Sequence, residues 1–123
     1  MKLAGEDSTS SGVRHLYCPG SFQRGSRDVF VVASDLSLGR VSRLVVWHDN
    51  VGTAPSWYLS RITVRDLQTN DCYHFVAETW LTLATLGEHG EIEKELRCLG
   101  SINNAVYFNV FCCGRLKWLR ISF

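Results

Sequence analysis

The stretch Arg40–Leu67, RVSRLVVWHDNVGTAPSWYLSRITVRDL, carries the reading of the fold. It opens with β-branched and aromatic residues, which suit a pleated, half-buried surface. From Val41 a period of two places Val41, Arg43, Val45 and Trp47 on one face and Ser42, Leu44, Val46 and His48 on the other. Asp49, Asn50, Gly52 and Pro55 break the run, each a turn former for its own reason. The extended pattern resumes from Trp57, with Tyr58, Ile62 and Val64 on one face and Arg61 and Arg65 on the other. A helix would have to absorb the internal glycine and proline against the period. The expectation is therefore two antiparallel strands joined as a hairpin, with Arg43 beside Arg61 and Arg65 on the paired strand.

Outward from this stretch, the same pattern predicts further strands. Val13–Cys18 is a short one. Asp28–Ala33 is nearly continuous in apolar residues and reads as buried on both faces. Cys72–Val76 follows, with Trp80 and Leu81 closing the apolar part. In Glu91–Arg97, Ile92, Lys94 and Leu96 alternate with Glu93 and Glu95, a strand pattern to which a one-turn helix is the alternative. Phe22, in a loop between Gly20 and Gly25, reads as a plug folded back on the core. Trp47 and Trp80 read as core, and Trp57 as either core or an interfacial anchor.

These residues also carry a family pattern. Trp47-His48-Asp49-Asn50, Gly52, Pro55-Ser56-Trp57-Tyr58 and Val64-x-Asp66-Leu67 resemble the signature of a PLAT (lipoxygenase-homology) domain of the polycystin type. Leu3-x-Gly5-Glu6-Asp7, Phe22-x-Arg24, Asp28-x-Phe30, Trp80-Leu81 and Glu95-Leu96 follow in the same order. The resemblance covers residues 1–99 and implies an all-β antiparallel sandwich. It also implies that the chain starts at the family's second strand, lacking the first, so that an edge is left unpaired. Residues 100–123 leave the pattern and read as a divergent hydrophobic-basic tail. One expectation is that Val106–Phe111 pairs with that edge; the alternative is an unrelated, aggregation-prone run.

Composition bounds the function. With 123 residues the chain is one domain's worth. A net charge of +1 gives no bulk attraction to nucleic acid. All 12 acidic residues precede Gly100, whereas Arg115, Lys117 and Arg120 follow it. No run approaches the ~20 apolar residues of a membrane-spanning helix, and the N-terminus lacks the order of a signal peptide. Taken alone, the chain reads as soluble and cytosolic. The five cysteines, Cys18, Cys72, Cys98, Cys112 and Cys113, have neither zinc-ligand nor disulfide-framework spacing and read as reduced thiols, mostly buried.

No catalytic constellation stands out. There is no G-x-S-x-G elbow and no pair of histidines at helical spacing around a glutamate. His48 beside Asp49 would point to the opposite face of a strand, so it reads as a satisfied strand-end histidine. Glu6, Asp7, Asp49 and Asn50 are hard oxygen donors in two strand-end loops. The resemblance implies calcium binding by such loops in some PLAT domains, and these four form a candidate calcium set, with simple turn acids as the alternative. Arg24, Arg27, Arg40, Arg43, Arg61 and Arg65 are candidates for anionic lipid headgroups, each adding ~1 kcal/mol near a charged leaflet. Against that stands an ordinary solvated sheet face. Ser26, between Arg24 and Arg27, has basic neighbours of the kind basophilic kinases favour.

The expected function is a non-catalytic interaction module. Its partners would be an anionic phospholipid surface or a protein, with no cofactor other than calcium. The resemblance implies the cytosolic domain of a polycystin-like membrane protein tied to cation-channel complexes. The alternative is a lipid-targeting accessory domain of a lipase- or lipoxygenase-like enzyme.

Overall fold

The computed structural model describes residues 1–51, 56–83, 92–103 and 117–123, with side chains for all of these except 101–103 and 117–120. The described residues form nine strands and no helix. They are β1 (Lys2–Gly5), β2 (Ser10–Val13), β3 (Val29–Ser34), β4 (Val41–Trp47), β5 (Trp57–Asp66), β6 (Asp71–Leu81), β7 (Glu93–Arg97), β8 (Gly100–Asn103) and β9 (Lys117–Ser122). Two sheets result, a four-stranded one ordered β2-β1-β4-β7 and a five-stranded one ordered β3-β9-β5-β6-β8. All pairings are antiparallel, as expected for a sandwich.

The core lies between the sheets. Leu3, Leu44, Val46 and Leu96 enter it from the first sheet, and Leu59, Ile62, Val64, Tyr73, Phe75, Leu81 and Ile121 from the second. The Tyr73 hydroxyl donates to the Gly39 carbonyl, tying the second sheet to the approach of β4. His48 ties the sheets at the other end of β4. Its Nε2 lies 3.0 Å from the Leu81 carbonyl, and its Nδ1 accepts the Asn50 N–H at 3.1 Å. A backbone carbonyl can only accept and a backbone N–H can only donate, so the proton sits on Nε2. This is the satisfied strand-end histidine that the sequence suggests.

The hairpin expectation is overturned. β4 and β5 lie in different sheets and do not pair. β4 is flanked by β1 and β7, and β5 by β6 and β9. The face assignment also shifts. A β-bulge between Ala4 and Gly5 in the β1–β4 register turns Val41 inward with Leu44 and Val46, and leaves Arg43 outside. The first predicted short strand sits earlier, at Ser10–Val13. β3 is not buried on both faces, because Val29 and Val31 are 49% and 56% exposed at the sheet edge. Trp80 is not core either, at 59% exposed. It lies an odd number of residues from Tyr73, Phe75 and Leu81, which point inward. Trp47 is half-buried.

The alternation in Glu93–Arg97 holds, with Leu96 buried and Glu93 and Glu95 exposed. Phe22 does fold back. It stacks on Phe30 at 5.3 Å and meets Trp57 and Phe123 edge-on, each at 5.4 Å. Of the described cysteines, Cys72 is buried, Cys98 half-buried and Cys18 exposed, all as free thiols. Val106–Phe111 lies outside the described residues. Lys117–Ser122 pairs on both sides as β9, between β3 and β5.

Candidate interaction face

The arginines do not converge. Arg43 is exposed on the outer face of the four-stranded sheet, in register with Ala4 and Arg97. Arg61 and Arg65 occupy the outer face of the five-stranded sheet, in register with Val76 and Cys72. The sandwich therefore sets Arg43 and the Arg61–Arg65 pair on opposite sides. The expected adjacency fails because it rested on a hairpin that does not form. Arg40 follows the turn before β4, its guanidinium 3.7 Å from Glu6. Arg24 and Arg27 are exposed in the loop before β3. The Asp28 carboxylate organises that loop by accepting the Phe22 N–H at 2.8 Å and the Ser26 hydroxyl at 2.6 Å.

The four candidate calcium ligands are also kept apart. Glu6 and Asp7 follow β1, whose Gly5 pairs with Val41 at the start of β4. Asp49 and Asn50 follow the end of β4. A strand of seven residues separates the two pairs, about 20 Å at 3.3 Å per residue. Asp49 Oδ1 instead accepts the Val51 N–H, a local turn role. Among the described residues no group of three or more His, Cys, Asp or Glu is placed to hold a metal ion.

The outer face of the five-stranded sheet carries more than arginine. Tyr58 and Trp80 sit opposite each other in the β5–β6 register, their rings 5.3 Å apart and edge-to-face. Both are exposed, as is Val76 further along β6. A β-bulge follows between Leu59 and Arg61, where Glu78 takes a positive φ of 43°. The Glu78 carboxylate accepts the Tyr58 hydroxyl at 2.8 Å and the Ser60 hydroxyl at 2.7 Å. The Ser60 and Tyr58 hydrogen bonds hold this carboxyl below its ordinary range, with Arg61 adding a smaller electrostatic push the same way. The same carboxylate raises the Tyr58 phenol. Further along, Arg65 Nε donates to the Cys72 Sγ at 3.2 Å and roofs the buried thiol.

Trp57, read as either core or an interfacial anchor, turns away from the sheet face. It lies half-buried in the cluster of Phe22, Phe30 and Phe123. That cluster borders a cleft of about 650 Å³ at the end of the sandwich, which His48, Asp49 and Ser56 also line. The aromatic pair on the sheet face is thus Tyr58–Trp80. The period of β6 was the available signal, since Trp80 is out of phase with Phe75.

A family model described as PLAT/LH2 domain matches residues 1–93. Human Polycystin-1 is 45% identical over 96 residues, which cover 78% of this chain and 2% of that protein. Human Polycystin-1-like protein 1 is 35% identical over 96 residues, 76% of this chain and 3% of its own length. Human Lipoxygenase homology domain-containing protein 1 is 41% identical over 61 residues, half of this chain and 3% of that protein. No solved structure gives a significant match. The chain therefore spans only a few per cent of the relatives it matches. No described helix is long and apolar enough to cross a membrane. The family-model match and the all-strand, two-sheet architecture agree, and the chain belongs to the PLAT/LH2 domain family.

Proposed function

We propose that this domain is a non-catalytic adhesion module whose five-stranded sheet docks, outer face first, on an anionic phospholipid surface. It would act at the cytoplasmic face of a membrane, as part of a larger polycystin-like membrane protein associated with cation-channel complexes. The observation that carries this reading is the juxtaposition on one sheet face of Arg61 and Arg65 with the exposed Tyr58–Trp80 pair. Guanidinium groups suit phosphate, offering paired donors in a fixed plane. Tyrosine and tryptophan suit the headgroup level, where one end of the ring is apolar and the other wet. Glu78 moderates the face, since its carboxylate lies near Arg61 and is held ionised by two hydroxyls.

Co-sedimentation with vesicles tests the reading. Binding should rise with phosphatidylserine or phosphoinositide content and fall with salt, because the attraction is screened. The double variant Arg61→Glu/Arg65→Glu should lose most of the binding while keeping the wild-type melting temperature. Equal binding to neutral and anionic vesicles would refute the proposal.

A further inference from the structure

Among the described residues the two sheets end in four outer strands, and three of these are blunted against further pairing. β2 has four residues and a register irregularity, and Gly12 within it takes a positive φ of 67°. β7 carries charge at four of its five positions, Glu93, Lys94, Glu95 and Arg97. β8 has four described residues. Short, bulged or charged edges of this kind keep sheets from growing. β3 has none of these features. It runs six residues, VFVVAS, without charge, proline or bulge, and its register with β9 is unbroken from Val29 to Ser34.

The polarity of that free edge can be worked out. The Phe123 N–H donates to the Asp28 carbonyl, so Asp28 faces β9. Backbone groups alternate in direction along an antiparallel strand, so Phe30, Val32 and Ser34 share that direction. Val29, Val31 and Ala33 then direct their N–H and C=O groups away from the sheet. Arg14 Nε reaches the Ala33 carbonyl at 3.1 Å from outside, which agrees. Among the described residues no strand pairs with this edge. The side chains beside it, Val29 and Val31, are about half exposed.

We infer that β3 is a self-association edge, pairing antiparallel with β3 of a second copy across a two-fold axis at Val31. Self-pairing is favoured by charge. With Val31 opposite itself, Val29 falls opposite Ala33, and Arg27 falls opposite Asp35 of the second copy. The symmetry makes that charge pair twice. Arg27 is exposed, and the Asp35 side chain is 84% exposed, 4.0 Å from Arg14. The Ala33 carbonyl has a second lone pair to accept from the partner while keeping Arg14. The product is a continuous sheet with two copies of the five-stranded order. A two-fold at a hydrogen-bonded pair stands perpendicular to the sheet, so both outer faces point the same way. On the membrane reading above, this doubles the Arg61–Arg65 face and adds avidity. The dimer itself does not depend on that reading.

Sedimentation equilibrium of the full chain, with reductant and without vesicles, tests the inference. The apparent mass should rise with concentration from 13.9 kDa toward twice that value and stop there. Val31→Lys, at an exposed site, should weaken association about tenfold or more by placing a charge at the edge. Arg27→Asp and Asp35→Arg should each self-associate more weakly than wild type. Mixed together, they should recover the dimer, because both cross-pairs are then opposite in charge. If Val31→Lys unfolds the chain, the mixing experiment decides alone. A chain that stays monomeric, or a dimer indifferent to the mixing, would overturn the inference. Vesicle binding that fails while the dimer persists would remove the membrane reading and leave this one standing.

Discussion

At the scale of single residues, the exposed hydrogen-bonded group around Glu78 makes a directional prediction. Two hydroxyls donate to its carboxylate, so the ionised form is favoured and the group titrates below its ordinary value of 4.5. A depressed carboxyl contributes stability above its unfolded pKa and loses it as pH falls through the folded one. Tyr58 moves the opposite way, above 10.0, chiefly because its hydroxyl hydrogen bonds to the Glu78 carboxylate, whose charge also opposes a phenolate. Its contribution holds below the unfolded pKa and is lost as pH rises through the folded value. Glu78→Gln should return the phenol toward its ordinary range, which ultraviolet difference titration reads directly. Gly5 gives a second prediction. A Cβ there would run into the Leu38 carbonyl and the Thr9 hydroxyl, and backbone cannot step aside cheaply. Gly5→Ala should destabilise by about 1–3 kcal/mol, as overpacking does, visible in the denaturant midpoint. Residue-scale features of this sort were half legible. That Leu44, Ile62 and Phe75 point inward follows from the period of two. That Trp80 points outward follows from the same period, but its apolar neighbours hid it. Nothing in the sequence announces the Glu78 bonds, which depend on a bulge that shifts the register by one.

At the scale of elements, Arg40–Leu67 holds two strands that do not pair with each other. Both halves are strands, as the β-branched residues indicate. The connection between Trp47 and Trp57 is longer than the two to five residues that close most hairpins, and the chain uses it to cross from one sheet to the other. Period and propensity specify strands; they do not specify partners, which depend on contacts far along the chain. β9 shows the same limit. Its place between β3 and β5 is set by pairing across some ninety residues of sequence, from Phe30 to Ile121. Ile121 is fully buried beside Val64. Ile121→Ala should therefore cost about 2–5 kcal/mol through lost burial and a residual cavity. Val29→Ala, at an exposed edge position, should stay within about 0.5 kcal/mol. Chemical denaturation of the two variants compares a strand that closes the core with one that borders it.

At the scale of the whole molecule, the sandwich converts one sequence-level set of arginines into two opposed faces. Arg43 stands with Arg97, Glu93 and Glu95 on strands of the four-stranded sheet, a face of mixed sign. Arg61 and Arg65 stand on the other face with an exposed aromatic pair. If orientation governs docking, equal charge changes on the two faces should have unequal effects. Arg43→Glu should leave vesicle affinity within about twofold of wild type, since a charge on the far side of the sandwich lies beyond a Debye length of ~10 Å from the lipid. Arg65→Glu, an identical change in charge, should lower it several-fold. The aromatic pair supplies an independent reading of which face is down. Trp80 is exposed in the free domain, so entry into a headgroup layer should blue-shift its emission. Trp80→Phe should reduce the vesicle-induced shift, while Trp57, already enclosed by Phe22 and Phe123, contributes none. An Arg43→Glu loss equal to that of Arg65→Glu would mean that the domain meets the membrane by a loop end or the opposite sheet.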